Sequence, residues 1–539
     1  MKKIFLLLSV PVLILLSCNN NGGSENNAPK EKKNVSKRHY GITKANSYNN
    51  IFLDSMDVVN YISKNHIPDS VARRMISFYN TRNYEYAWFS SDGLSEQAMG
   101  FSSLLNFTGD TSKQQKKLQN RMDDLLSDTD LNVSGNSKSI INTEINLTER
   151  LIDYSLTQFP DGYVKRKELE RFIPYKKQDP IQLADSLLNK KHNDDKYFSD
   201  INPPYKLLSE QLRKYVGIVK SGGWPVIGEI NTKSFKMNDS SGAVLAVKRK
   251  LILTGDLSPN DTSSIYDTAL ENAIKNYQNR LGLTADGKLG SKTVEELRKP
   301  AIERVKQILI NMNRMRWLPA EPEGRLIVVN IPAFMLHVYE GQKTVFTMPV
   351  VVGKEGHNTT LFSDKLTTIV FSPYWNVPPS IVKKEVLPGM QKDPDYLEKN
   401  NMEITGGTDS LPVVRQKPGP ENSLGKVKFL FPNVFNIYLH DTPAKWLFDK
   451  DVRAYSHGCI RLADAEKMAD YLLQNNDNWT PEKINEAMNS GNEQSVKLKD
   501  PVPVFITYYT AWVDDNGQLN FRDDIYGHDK EVAEKMFIQ

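Results

Sequence analysis

The hydrophobic pattern changes period partway along the chain. Over residues 70–79, Val71, Met75, Phe78 and Tyr79 recur at spacings of three and four, one face of a helix. Residues 147–154 and 204–219 read the same way, and Gly222-Gly223 stops the second of them. Beyond Trp317 the period shortens. Residues 325–331 form a β-rich run, and Phe334, Leu336 and Val338 alternate with other side chains. Glu340-Gly341 offers a turn, and 344–352, 367–371, 435–439 and 502–510 read as further strands. Asp514-Asp515-Asn516-Gly517 signals a hairpin. A helical period and a strand period cannot share one layer, so a multi-domain α+β protein is expected. A length of 539 residues allows about three or four domains.

The N-terminus reads as an address. Lys2-Lys3 precedes an apolar run over 4–16, shorter than the roughly 20 residues that span a bilayer. Leu15-Leu16-Ser17-Cys18 resembles a bacterial lipobox, which implies a signal peptide over 1–17 and a lipidated Cys18. Residues 18–48 then lack periodicity and are rich in Asn, Gly, Ser and Lys, so a disordered tether is expected. Net charge is +4, too small a surplus to suggest a nucleic-acid partner.

The helical half divides in two. A scaffold is expected over 49–240 and a compact unit over 243–300. In the second, Ala273, Tyr277, Gln278, Leu281, Gly282, Leu283, Asp286, Gly287, Gly290, Thr293 and Leu297 form an array that resembles the three-helix peptidoglycan-binding domain. Such a module either binds wall or serves as a spacer. The β domain is placed over 301–528, with a Pro- and Gly-rich insertion at about 380–432 read as a lid.

The chain holds two cysteines, and Cys459 lies in Ser456-His457-Gly458-Cys459-Ile460-Arg461. His440 precedes it by 19 residues. A free thiol is mostly protonated at neutral pH, and an imidazole beside it can take its proton and later return it to a leaving amine. Gly458 lets backbone approach a substrate, so the Gly458 and Cys459 N–H groups are candidates for an oxyanion hole. Asp464 reads as the N-cap of a helix over 465–473, whose N-terminus would favour thiolate. An inert buried cysteine is the plainer alternative. A zinc site is disfavoured, because His-X-Cys is a poor chelating pair and no fourth ligand is evident.

His440, 15 intervening residues and Ser456-His457-Gly458-Cys459 together resemble the signature of the L,D-transpeptidase family with its YkuD-type catalytic domain. The resemblance extends to the large multi-domain members. Phe371 to Ile381 resembles their entry to the lid, Thr510 to Asp514 and Phe521 to Gly527 their C-terminal hairpin, and Tyr84 to Trp88 with Gly222 to Pro225 their scaffold. It implies cleavage of the L-to-D bond of a peptidoglycan tetrapeptide stem by Cys459 as nucleophile, with a thioester, release of D-alanine and a 3→3 cross-link. His440 would be the base, oriented by the side chain of Asp441 or by its carbonyl. His457 and Gly458 would line the oxyanion site with Cys459, beside Ser456. Arg461 would hold a substrate carboxylate or brace the loop. Tyr374, Trp375 and Tyr438 are pocket walls or core residues. Acylation by carbapenems is also implied. Water as acceptor would make a carboxypeptidase, and an idle wall-binding protein is the rival of another class. No cofactor or metal is expected. The partners are peptidoglycan stems and, through Cys18, a membrane, for a monomer in the cell envelope facing the periplasm.

Overall fold

A computed structural model describes residues 35–107, 112–127, 133, 135–158, 173–188, 203–230, 237–261, 263–317 and 324–538. The signal segment, Cys18 and most of the tether lie outside the described residues. The rest of the tether does not behave as expected. Ser36 N–H donates to Ser77 Oγ (3.2 Å), His39 N–H to the carbonyl of Asn80 (2.8 Å), and Ile42 is buried. Residues 36–47 therefore pack as an irregular arm on the helical domain. A segment held by backbone hydrogen bonds and one buried isoleucine carries no periodic signal.

Helices Ser55–Lys64, Asp69–Thr81, Glu96–Phe107, Lys113–Ser127, Lys138–Gln158, Pro180–Leu188 and Pro203–Lys220 form the scaffold. Its hub is the Tyr84 to Trp88 segment, where Tyr86, Ala87 and Trp88 are fully buried. The buried carboxylate of Glu144 accepts from Ala87 N–H (2.7 Å), Trp88 N–H (2.9 Å) and Tyr79 Oη (3.1 Å). Helices Gly242–Thr254, Thr268–Arg280 and Ser291–Arg298 make the small unit. Ser241 and Asp267 cap the first two, and Gly255 closes the first in the left-handed region.

The boundary expected at 301 falls elsewhere. Helix Ala301–Met315 is buried on every side from Ile308 on, and its Val305, Ile308, Leu309 and Met312 join the core of the helical domains. Trp317 meets Trp88 and Phe101 there. The C-terminal hairpin, Ala511–Val513 with Leu519–Phe521, and helix His528–Met536 join the same core. Arg314 ties this helix to scaffold helix Glu96–Phe107 and to helix His528–Met536, at 2.5 Å from both Glu96 and Asp529. Period alone predicts the helix but not which core it enters.

The β domain is a closed sheet. Its strands run in the order Ala454–Ser456, Lys343–Gly353, Ile460–Leu462, Leu439–His440, Val427–Leu430, Phe362–Phe371, Gln494–Thr507, Arg325–Asn330 and Met335–Glu340. Met335–Glu340 also pairs with Lys343–Gly353, which closes the sheet into a barrel. Most pairs are antiparallel. Leu439–His440 with Ile460–Leu462, Arg325–Asn330 with Gln494–Thr507 and Ala454–Ser456 with Lys343–Gly353 are parallel. Alternating Ile327, Val329, Leu336, Val338, Val350, Val352, Ile369 and Phe371 fill the interior, and Met468, Leu472 and Ile484 of two helices join that core.

The lid has a core of its own. Strands Trp375–Asn376, Leu411–Gln416 and Met402–Thr408 form a three-stranded sheet. Val377, Ile381, Val382, Val386 and Val414 pack beneath it, with Trp375 on their edge. The insertion thus begins at Trp375 rather than 380. Residues Val382–Val386 form one π-helical turn, an irregularity frequent at functional sites.

Candidate active site

Two short parallel strands set the site. Leu439 pairs with Ile460 and His440 with Arg461. Extending that register by one residue places Tyr438 opposite Cys459, and Ile460 N–H donates to the Tyr438 carbonyl (3.1 Å). Side chains two apart on a strand share a face, so Tyr438, His440, Cys459 and Arg461 come together there. The Tyr438 and His440 rings lie 5.7 Å apart between centroids.

His440 is buried, and its Nδ1 lies 2.5 Å from the carbonyl oxygen of Asp441. A carbonyl only accepts, so Nδ1 carries the proton and Nε2 keeps a free lone pair. The carbonyl of Asp441, rather than its side chain, therefore orients the imidazole. The carboxylate is engaged elsewhere, accepting from Lys426 N–H (2.9 Å) and pairing with Lys445 Nζ (2.7 Å). Burial, then the Arg461 cation, push the His440 pKa down to about 3, against the carbonyls of Asp441 and Leu424.

Cys459 is half-buried, with Sγ 3.6 Å from the carbonyl of Asn436. Burial raises its pKa, opposed by the Tyr438 backbone and hydroxyl and by Arg461. The pair rests as neutral thiol and neutral imidazole. Burial thus works against the thiolate that a nearby helix N-terminus was expected to favour. Helix Ala465–Leu473 is present and capped by Asp464, which accepts from Lys467 N–H (3.0 Å), but strand Ile460–Leu462 separates its N-terminus from the thiol.

The loop before the thiol is laced to a segment that gave no signal in the sequence. Ser456 is buried, donates to the Cys459 carbonyl (2.5 Å) and accepts from Gly458 N–H (3.1 Å). Gly458 sits at φ +114°, in the region that favours glycine. Its carbonyl accepts from Thr359 Oγ1 (2.8 Å), which itself accepts from Gly353 N–H (2.9 Å). Tyr526 closes the tie by donating to the Gly353 carbonyl (2.6 Å). The Gly458 N–H is thus already bonded. Of the two amides expected to face an oxyanion, that of Cys459 has no acceptor among the described residues.

His457 points to the lid. Its Nε2 lies 3.5 Å from Glu385 Oε1, on the π-helical turn, and its ring meets that of His357 edge-on with centroids 5.0 Å apart. Burial lowers its pKa, Glu385 opposes this, and Lys354, His357 and Arg461 add to it. Arg461 makes no ion pair among the described residues, and its Nε is buried without a hydrogen-bond partner. Tyr374 and Trp375 lie at the start of the lid and in its sheet. Arg415 covers the Tyr374 ring (4.2 Å) and Trp375 packs on the lid core, while Tyr438 interacts with the thiol itself.

Residues 324–506 match the family model of the L,D-transpeptidase catalytic domain, YkuD. The chain carries an L,D-transpeptidase catalytic domain. Residues 73–212 match the scaffold domain and 240–297 a putative peptidoglycan-binding domain. A putative L,D-transpeptidase of Haemophilus influenzae is 32% identical over 242 residues, covering 42% of this chain and 48% of that protein. The chain thus spans about half the length of the curated relative it matches. Among solved structures, an L,D-transpeptidase of Stackebrandtia nassauensis is 16% identical, covering 52% of this chain and 97% of that one at a TM-score of 0.22. One from Mycobacterium smegmatis is 15% identical, covering 34% and 58% at 0.20. Scores this low bear on neither function nor domain arrangement. In the L,D-transpeptidase domain no group of three or more His, Cys, Asp or Glu suits a metal among the described residues. No described helix is long and apolar enough to cross a membrane.

Proposed function

We propose that the chain is a peptidoglycan L,D-transpeptidase that uses Cys459 as nucleophile. The observation that carries this reading is the commitment of His440 Nδ1 to the Asp441 carbonyl, which leaves Nε2 as the proton acceptor on the face shared with Cys459. As Sγ attacks the carbonyl carbon of the third stem residue, its proton passes to Nε2. The tetrahedral oxyanion takes the Cys459 N–H. The C–N bond to D-alanine then breaks, the amine leaves with the proton from His440, and a thioester remains on Cys459. An amine of a second stem attacks the thioester, loses its proton to His440 and frees the thiol. Arg461, an under-satisfied cation beside the thiol, supports a role in holding a substrate carboxylate. Acylation of the same thiol by carbapenems, a lipid anchor on Cys18 and a place facing the periplasm belong to this proposal.

The test is product analysis after incubation with a disaccharide tetrapeptide. Dimers joined 3→3 with loss of D-alanine are expected. Free tripeptide alone would make the protein a carboxypeptidase, and unchanged tetrapeptide would leave a wall-binding protein with an idle site.

A further inference from the structure

The chain is held at several points where it leaves the barrel for the lid. Strand Phe362–Phe371 lies between Val427–Leu430 and Gln494–Thr507, and its last residue, Phe371, pairs with both Val427 and Gln494. Ser372 follows at φ +42°, in the left-handed region that side chains seldom occupy unless their surroundings hold them there. Its Oγ donates to the Ala487 carbonyl (2.9 Å) and its N–H to the Lys426 carbonyl (2.8 Å). The Pro373 carbonyl accepts from Nδ2 of buried Asn422 (3.1 Å), at the far end of the lid.

Tyr374 comes next, and both neighbouring strands reach over to it. Glu493 directly precedes strand Gln494–Thr507, and its Oε2 accepts from Tyr374 N–H (2.8 Å). Lys428, on strand Val427–Leu430, donates from Nζ to the Tyr374 carbonyl (3.3 Å). The ammonium and the carboxylate are themselves 3.8 Å apart, and neither makes another ion pair among the described residues. One residue of the chain thus has its N–H taken by an anion and its carbonyl by a cation, each from a different strand. The Lys428 side chain is only 16% exposed, so its bond to the carbonyl is weakened little by water.

This clamp stands between the catalytic strands and the lid. Lys428 is the register partner of His440, so the two side chains share the outer face of the barrel. Beyond Tyr374 the chain runs straight into the lid sheet, where Trp375 pairs with Gln416 and Asn376 with Arg415. Arg415 also covers the Tyr374 ring, so the lid holds the side chain of the residue whose backbone the barrel holds. Val377, Ile381 and Val382 then enter the lid core, and the same segment carries Glu385 to within 3.5 Å of His457 in the nucleophile loop.

We propose that Lys428 and Glu493 are positioning residues that clamp the backbone of Tyr374, and that this clamp sets the lid against the nucleophile loop and so the fit of the donor stem beneath it. It rests on the reading that a stem peptide is the acyl donor. An ion pair made only for stability would need its two charges and nothing else. A backbone clamp needs an acceptor at Tyr374 N–H and a donor at its carbonyl, whatever the charge of the acceptor.

The experiment uses the full chain and two readouts, steady-state turnover of a disaccharide tetrapeptide and alkylation of Cys459 by iodoacetamide, followed by peptide mass. Lys428→Met and Glu493→Ala should each raise KM for the donor about tenfold and leave kcat within about twofold. Each should also speed alkylation about threefold, because a loosened lid uncovers the thiol. Glu493→Gln loses the charge but keeps the acceptor, so both readouts should stay within about twofold of wild type. An unchanged donor KM, unchanged alkylation, or equal effects of Glu493→Gln and Glu493→Ala overturns the proposal. If Lys428→Met does not fold, Glu493→Ala on its exposed loop makes the same test. A wild-type chain that turns over no donor counts against the proposed function alone, because alkylation still reads the clamp.

Discussion

His440 Nδ1 lies 2.5 Å from the carbonyl oxygen of Asp441, the next residue in its own chain. A backbone carbonyl cannot be removed by mutating its side chain. Asp441→Asn should therefore keep the imidazole tautomer and lose less than about tenfold in acylation rate, whereas loss of an orienting side-chain carboxylate costs about 10⁴-fold in a serine-protease triad. Rapid-quench measurement of acylation distinguishes the two. A thousandfold loss would return the orienting role to the side chain.

The neutral resting pair has a consequence for pH. His440 becomes charged only as pH falls through about 3, so no acid limb should appear near the ordinary histidine range. The second-order acylation rate should be nearly flat from about pH 4 to pH 7 and rise as the thiol ionises above its usual range. Arg461 opposes the imidazolium, so Arg461→Met should raise the His440 pKa and move the acid limb upward. An acid limb near 6.5 in wild type would contradict the assignment.

The contact between Glu385 and His457 makes the lid part of the site. Glu385 is half-exposed and makes no other ion pair among the described residues. Glu385→Ala should leave the melting temperature within about 1 °C and lower kcat/KM roughly threefold, mainly through KM. Steady-state kinetics beside a melting curve checks both. An unchanged KM would place the lid outside substrate binding.

The nucleophile loop was legible because its chemistry is concentrated in consecutive residues, Ser456 to Cys459, and the strand register brings His440 to it. The Asp464 cap was legible for the same local reason. Thr359 and His357 were not, and Tyr526 was legible only as part of the C-terminal stretch from Phe521 to Gly527. Each reaches the loop from far away in the sequence, and neither Thr359 nor His357 sits in a pattern of its own. The help expected for the thiolate from the helix start rested on proximity in sequence, and a strand intervenes. Helix Ala301–Met315 and the C-terminal hairpin show a further limit. Hydrophobic period gives the element and its buried face, while the core that face enters depends on distant partners such as Glu96 and Asp529.

Glu144 supports the hub of the scaffold with a buried carboxylate bonded to Ala87, Trp88 and Tyr79. Glu144→Ala leaves two buried N–H donors and a hydroxyl without it. A loss of about 3 kcal/mol in unfolding free energy is expected from urea titration. A change below about 1 kcal/mol would mean that water or a shifted side chain replaces the carboxylate.

The central claim is that Cys459 forms the acyl-enzyme. Intact-mass spectrometry of the wild-type chain, quenched in acid shortly after mixing with a disaccharide tetrapeptide, tests it directly. The account predicts an adduct equal to the donor less D-alanine, mapped by peptide digestion to Cys459 and missing from Cys459→Ala. Cross-linked or trimmed product made by Cys459→Ala at the wild-type rate, or an adduct on any other residue, would contradict it.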